Sequence, residues 1–356
     1  RFVSNRESSF PYPYVIKAHS QLEISKAQSA DILIVGDAAA LQLNKHLNKF
    51  IKKASKNLKK PLSVYNWAKD DEPLAITLGK VKSLKKLPML TLYHGGISEL
   101  SHKRFHPRDI PKIYKNLKLV ENDSVHTLLL TFPLLSRLLY TPVEYAKLTH
   151  NSIGHVREDG KAYSSKQIQY ILKLHYSFYT KEAKDIFTHY KLKDANIWVI
   201  PAALNVETPP LRVCSNTESQ EAFDLRSKID VFIKKKAFKD ARNSSLKLIQ
   251  DHKANSLNYY QLAKILLASG MYTQARSALY HARMYDCGLS QSTPVHLKIL
   301  MEETEKRDFK VIDFNRMVLD HLGRNKLFFD DKIPQDLYYE RLMDKLNILF
   351  EKLLEG

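Results

Sequence analysis

Ile32-Leu33-Ile34-Val35 runs into Gly36 without one polar residue. A strand with one wet face alternates apolar and polar residues; a strand covered on both faces reads as a continuous apolar run. Three of these four residues are β-branched, which favours a strand over a helix. Similar segments recur at Leu62–Trp67, at Met89–His94 before Gly95-Gly96, at Asn196–Ile200 and at Phe309–Phe314. Between them lie helical patterns. Leu43, Leu47, Phe50/Ile51, Ala54 and Leu58 recur at helical spacing with lysines on the other face. Further helices are expected over Leu74–Leu84, Ile110–Tyr145, Lys166–Tyr190 and Gln335–Leu354, the last with Leu342, Leu346, Leu349 and Leu353 on one face. Buried strands alternating with helices predict an α/β fold whose parallel sheet is covered on both sides.

The 356 residues suffice for two domains, and 44% apolar with 26% charged residues is a globular composition. Ten Gly and 14 Pro exclude a collagen-like chain. Every run as long as a membrane helix is broken by charge, so no transmembrane segment is expected. The chain opens on Arg1, and the expectation is that a leader or anchor is not included. Lys and Arg exceed Asp and Glu by 56 to 38, a net charge of +18, which favours an acidic partner: nucleic acid, anionic lipid or an acidic glycan. The excess is mostly lysine spread along helices, with no Arg-rich tail and no aromatic-glycine RNA signature, which argues against nucleic acid. Lys45, Lys49, Lys52, Lys53 and Lys56 form a basic helix face with no acid from Ala38 to Lys69. It reads either as a solvated face or as a surface for an anion.

The gap between the fourth and fifth strands holds a repeat. Ile229, Phe232, Phe238, Ala241, Ser245 and Leu248 precede Ala263, Leu266, Tyr272, Ala275, Leu279 and Ala282 by 34 residues each. With Tyr259, Leu262 and Gly270, the second unit resembles a tetratricopeptide repeat; the first has Lys236 where the turn glycine belongs. This divides the chain into 1–214, a helical insert over 215–290, and 291–356 carrying the last strand and closing helix. The resemblance implies a protein partner over 220–286. Cys214 and Cys287 flank the insert's mouth, where a bridge would tie it to the sheet; two unrelated thiols are the alternative.

Gly36-Asp37-Ala38, at the end of the first strand, resembles the Gly-Asp-Ser block of the SGNH (GDSL) hydrolases. That resemblance implies a flavodoxin-like α/β/α sandwich with its site at the carboxyl edge of a five-stranded sheet. It also implies that the chemistry is gone. Ala38 stands where the nucleophilic Ser belongs, and a methyl group cannot attack a carbonyl. Gly96-Ile97-Ser98-Glu99 falls on Gly-x-Asn-Asp, so Ser98 replaces the oxyanion Asn. Asp330-Asp331-Lys332-Ile333-Pro334 falls on Asp-x-x-His-Pro, which keeps Asp330 and puts Ile333 in place of the base. The turn Asn66–Asp71 stands where a glycine-bearing turn is expected, and its side chains are expected to obstruct the oxyanion hole.

The expected ligand pocket is Asp37, Ala38, Asn66, His94, Gly96, Ser98 and Glu99, with no cofactor and no metal. The leading expectation is an inactive hydrolase-like binding or scaffold protein of the periplasm or cell envelope, its pocket suited to an acylated or acidic glycan. Three alternatives stand beside it: a divergent esterase or acetyl-transfer accessory using His94 as base and Ser98 as nucleophile, a metal held by Asp37, His94 and Glu99, and nucleic-acid binding through the lysine face.

Overall fold

The computed structural model describes residues 14–15, 19–58, 61–100, 146–147, 165–211, 220–288 and 292–355, with isolated positions at 115, 124 and 128. The expected helix over 110–145 therefore lies outside the described residues, apart from those positions, and so does Cys214. The protein is mixed α/β. Strands β1 (Ile32–Gly36), β2 (Val64–Asn66), β3 (Leu90–Gly95), β4 (Asn196–Pro201) and β5 (Lys310–Val311) form one sheet in the order β2-β1-β3-β4-β5. All four pairings are parallel, with Ile32 opposite Leu90 and Leu90 opposite Asn196.

The continuous apolar runs are explained by what covers them. Leu33, Val35, Tyr93, Ile197 and Val199 face one side, against α4 (Leu74–Lys82) and α5 (Ser165–Leu192). Their neighbours Ile32, Ile34, Leu90, Leu92, Trp198 and Ile200 face the other, against α3 (Leu47–Leu58) and the closing helix α12 (Asp336–Glu355). Each fully buried side chain of this size contributes about 1.5–3 kcal/mol. In α3 the expected face is inward, with Leu47, Phe50 and Ala54 buried. A short helix α2 (Ala38–Gln42) and a 3₁₀ turn (Leu43–Lys45) precede it, and α1 (Gln21–Ser29) leads into β1.

The fifth strand is shorter than the expected Phe309–Phe314. Asp313 Oδ1 accepts from Arg316 N at 2.8 Å and starts the helix α11 (Phe314–Leu319), which ends the strand. Ile312 N still donates to Val199 O at 2.8 Å, while at the other end Phe309 N donates back to Thr304 O at 3.2 Å and stays outside the strand.

The insert is four helices: α6 (Gln220–Lys234), α7 (Phe238–Asp251), α8 (Ser256–Ala268) and α9 (Tyr272–Met284). Its two hairpins repeat in backbone detail. Lys236 (φ +57°) and Gly270 (φ +71°) occupy the same left-handed turn position. Ala237 N donates to Phe232 O at 2.9 Å, and Met271 N donates to Leu266 O at 2.8 Å. Ala241 and Ala275 are fully buried at the equivalent places. The hairpins differ in what they lean on. Leu262, Ala263, Leu266, Ala275, Ala278 and Leu279 of the second join the core of the sheet. The first has a small cluster of its own, Ala222, Ile229, Ala241 and Leu248, closed by Ile265. Between the insert and β5 lies α10 (Pro294–Glu305), which packs on α5. Cys287 is buried and disulfide-bonded.

Ala275→Leu forces extra volume into a closed contact and should destabilise the protein by about 1–3 kcal/mol. An unchanged midpoint in a urea titration would refute this packing.

Candidate functional site

The turn after β1 is set by Gly36, whose φ is +136°; a Cβ there would stand 1.9 Å from His94 O. Only glycine lets β1 turn so close to β3. The next residue, Asp37, is fully buried. Its Oδ1 caps α2 by accepting from Ala39 N at 3.1 Å. Its Oδ2 accepts from three successive amides of the β3 turn: Gly96 N at 3.0 Å, Ile97 N at 2.8 Å and Ser98 N at 3.1 Å. Burial raises the Asp37 pKa, and the four N–H groups act against that rise.

The other residues expected in the pocket are likewise taken up by the fold. His94 is fully buried, its Nδ1 lies 2.7 Å from Ile200 O, and its ring meets Phe314 and Tyr339 edge-on. Burial lowers its pKa to about 4, so at neutral pH it is a neutral ring donating to Ile200 O. Glu99 Oε1 accepts from Leu74 N at 2.8 Å and caps α4, whose own N-cap, Pro73, has no side-chain acceptor. Asn66 Nδ2 donates to Ala40 O at 2.8 Å and Asn44 Oδ1 at 2.9 Å, while its Oδ1 accepts from Ala68 N. Ala38 is the first residue of α2 and is 8% exposed.

Asp330 arrives at the same edge from the far end of the chain. Its Oδ1 accepts from Lys332 N and Ile333 N, at 2.8 and 2.7 Å. Its carbonyl accepts from Asn205, in the loop after β4, and Lys332 Nζ reaches Asp71 Oδ1 after β2 at 2.9 Å. Ile333 packs into the sheet core. The edge thus gathers Asp37, Ala38, Asn66, His94, Gly96, Ser98, Glu99 and Asp330. The expected obstruction by the Asn66–Asp71 turn needs correction at its largest residue: Trp67 is 1% exposed and packs inward on Leu33, Val35 and Tyr93. The surface part of that turn is instead bridged by Asp71 to Lys332.

Two groups escaped the sequence reading. Glu72 and Lys80 form a buried ion pair, with Lys80 also donating to Trp67 O and lying 5.3 Å from the Trp67 ring centroid. Burial raises Glu72 to about 7 and lowers Lys80. Arg283 of α9 donates to Asn205 O at 2.8 Å and pairs with Asp286, which joins the insert to the loop after β4. Nothing in "Asp-Asp-Glu-Pro" or in a helical Arg marks either as buried. The lysine face is partly neutralised: Lys49 meets Asp344 at 2.8 Å and Lys53 meets Glu351 at 3.0 Å, both on α12, while Lys45, Lys52 and Lys56 are exposed. Among the described residues no group of three His, Cys, Asp or Glu is placed to hold a metal, and no helix is long and apolar enough to cross a membrane. Compared with known proteins, the chain matches no family model and no curated protein.

Asp37→Ala strands four backbone N–H groups, each costing about 1–3 kcal/mol if left unpaired, and should lower stability by at least about 3 kcal/mol. A loss within about 0.5 kcal/mol on chemical denaturation, the range of ordinary surface changes, would refute the clamp. A second prediction concerns acid. His94 titrates at 6.5 when unfolded and about 4 when folded, so the unfolded chain takes up the proton first. Its contribution is present above pH 6.5 and is lost as pH falls toward 4, about 3 kcal/mol in all. His94→Asn keeps an N–H donor for Ile200 O but cannot titrate; its stability should fall less than that of the native chain over this window. Equal slopes would refute the assignment.

Proposed function

We propose that the protein is a catalytically inactive relative of the SGNH hydrolases that serves as a binding or scaffold module of the cell envelope. The observation that carries this reading is the make-up of the carboxyl edge, where none of the side chains brought beside Asp330 repeats the reactive groups of that family. An oxyanion hole needs preorganised donors aimed at a developing negative charge. Ser98 stands in place of the Asn side chain that would supply one. Ala38 offers no nucleophile, Ile333 offers no base, and His94 has its Nδ1 on a carbonyl and its ring against aromatic side chains.

The fold supports the same reading. The order β2-β1-β3-β4-β5 is that of flavodoxin-like doubly wound sheets, in which ligands bind outside the carboxyl ends of the strands. The 34-residue correspondence of the two hairpins, including the Lys236 and Gly270 turns, supports a tetratricopeptide-like insert and with it a protein partner over 220–286. The disulfide at Cys287 favours an oxidising compartment.

The protein should hydrolyse p-nitrophenyl acetate no faster than a buffer-plus-albumin control. A saturable rate that disappears in Ser98→Ala would overturn this reading and favour a divergent esterase.

A further inference from the structure

The candidate site lies at the carboxyl edge of the sheet; the opposite, amino edge carries a different chemistry. Three connections meet there: Ser83–Met89 before β3, Lys193–Ala195 before β4 and Lys306–Phe309 before β5. Leu90 and Asn196 are direct partners, so the first two run side by side. His189 of α5 has both Lys82 and Lys193 as charged neighbours. Lys82, Lys85, Lys86, Lys191, Lys193 and Lys310 are all exposed around this edge. Among them projects Leu192, 80% exposed, with Met89 at 36% on the adjoining connection.

Most of the acids at this edge have other reasons to be there, the exposed Glu305 beside Lys306 excepted. Asp194 (φ +48°) and Asp308 (φ +61°) hold left-handed turn positions, where Asp is enriched. Asp308 is 3.7 Å from Lys191, and Asp185 lies 3.9 Å from both Lys82 and Lys181, separations typical of weak surface pairs. Asp31 is bonded to Ser63. Among the described residues no carboxylate pairs with Lys85, Lys86, Lys193 or Lys310. No turn geometry calls for these lysines, and leucine is the wrong residue for a tip in water.

We propose that this amino edge docks on an anionic lipid surface, with Leu192 entering the headgroup layer inside the lysine cluster. Four features favour lipid over other acidic partners. The edge is made of the loop ends that enter β3, β4 and β5. Lysines supply diffuse point charge, whereas phosphate recognition in nucleic acid draws on arginine forks and stacked rings. The nearby Arg307 is held by Glu303, and among the described residues no aromatic ring is prominently exposed at this edge. Finally, charge together with one inserted apolar side chain supplies two independent anchors, as peripheral attachment requires. So docked, the carboxyl edge would face away from the membrane.

The test is co-sedimentation of the whole chain with phosphatidylglycerol–phosphatidylcholine vesicles and with phosphatidylcholine alone. The native chain should bind only the former. Lys85→Ser/Lys86→Ser/Lys193→Ser should bind about a hundredfold more weakly. Removing the same charge from the exposed tip of the first hairpin, in Lys234→Ser/Lys235→Ser/Lys239→Ser, should change binding far less. Leu192→Ser should bind about tenfold more weakly and keep its salt dependence. The proposal is overturned if the native chain ignores anionic vesicles, if both triple variants lose equally, if Leu192→Ser binds unchanged, or if the chain binds polyglutamate but not vesicles. Vesicle binding does not depend on whether the carboxyl-edge site is catalytic, so esterase activity would leave this result standing.

Discussion

A parallel sheet has no hairpins to hold neighbouring strand ends together, so its carboxyl edge must be tied by side chains. In this protein the Asp37 carboxylate does that work. It closes the first turn of α2 and holds three consecutive amides of the turn after β3. Strand β1 is an interior strand paired with both β2 and β3, so fixing its exit fixes the seam between β1 and β3, and α2 and α3 start from there. Gly36 makes the arrangement sterically possible, and the acid caps, Glu99 on α4 and Asp313 on α11, extend the same principle along the edge.

The same edge concentrates polar side chains whose hydrogen bonds run mostly to the fold itself. Asp37, Asn66 and Glu99 are held by backbone amides and neighbouring side chains, and His94 is held through Nδ1 on Ile200 O while its buried Nε2 meets no hydrogen-bond partner among the described residues; burial pushes Asp37 and His94 toward their uncharged forms. The pair of Glu72 and Lys80 belongs to this pattern. Taking two charges out of water is costly, and the carbonyl of Trp67 and the ring beside it recover part of that cost.

Much of the architecture was legible from the sequence. The runs at Ile32–Val35 and Asn196–Ile200 named buried strands, and the 34-residue spacing named two equivalent hairpins, because periodicity is a local signal. The fifth strand was overread because Asp313 looks like any polar residue until its side chain is seen capping α11. The stretches around Gly36, Gly96 and Asp330 stood out in the sequence, but the role of Asp37 did not. Its partners lie about sixty residues away and are backbone amides, which leave no mark in a sequence. Glu72 and Lys80 were invisible for a related reason. A charged residue reads as exposed unless its partner is already known.

The strand order also has a consequence for how this chain reaches its native state. β5 pairs with β4 through Trp198 and Lys310, and the entire insert lies between them in sequence. The entropy of closing so long a loop grows only slowly with its length, so the greater obstacle is order of events. Ile312 and Phe314 are covered by the same core that receives Leu262, Leu266 and Leu279 of the second hairpin. The last strand therefore has no finished surface to join until that hairpin has docked. The outermost strand thus depends on the insert for the surface that covers it, although its hydrogen-bond partners lie on β4.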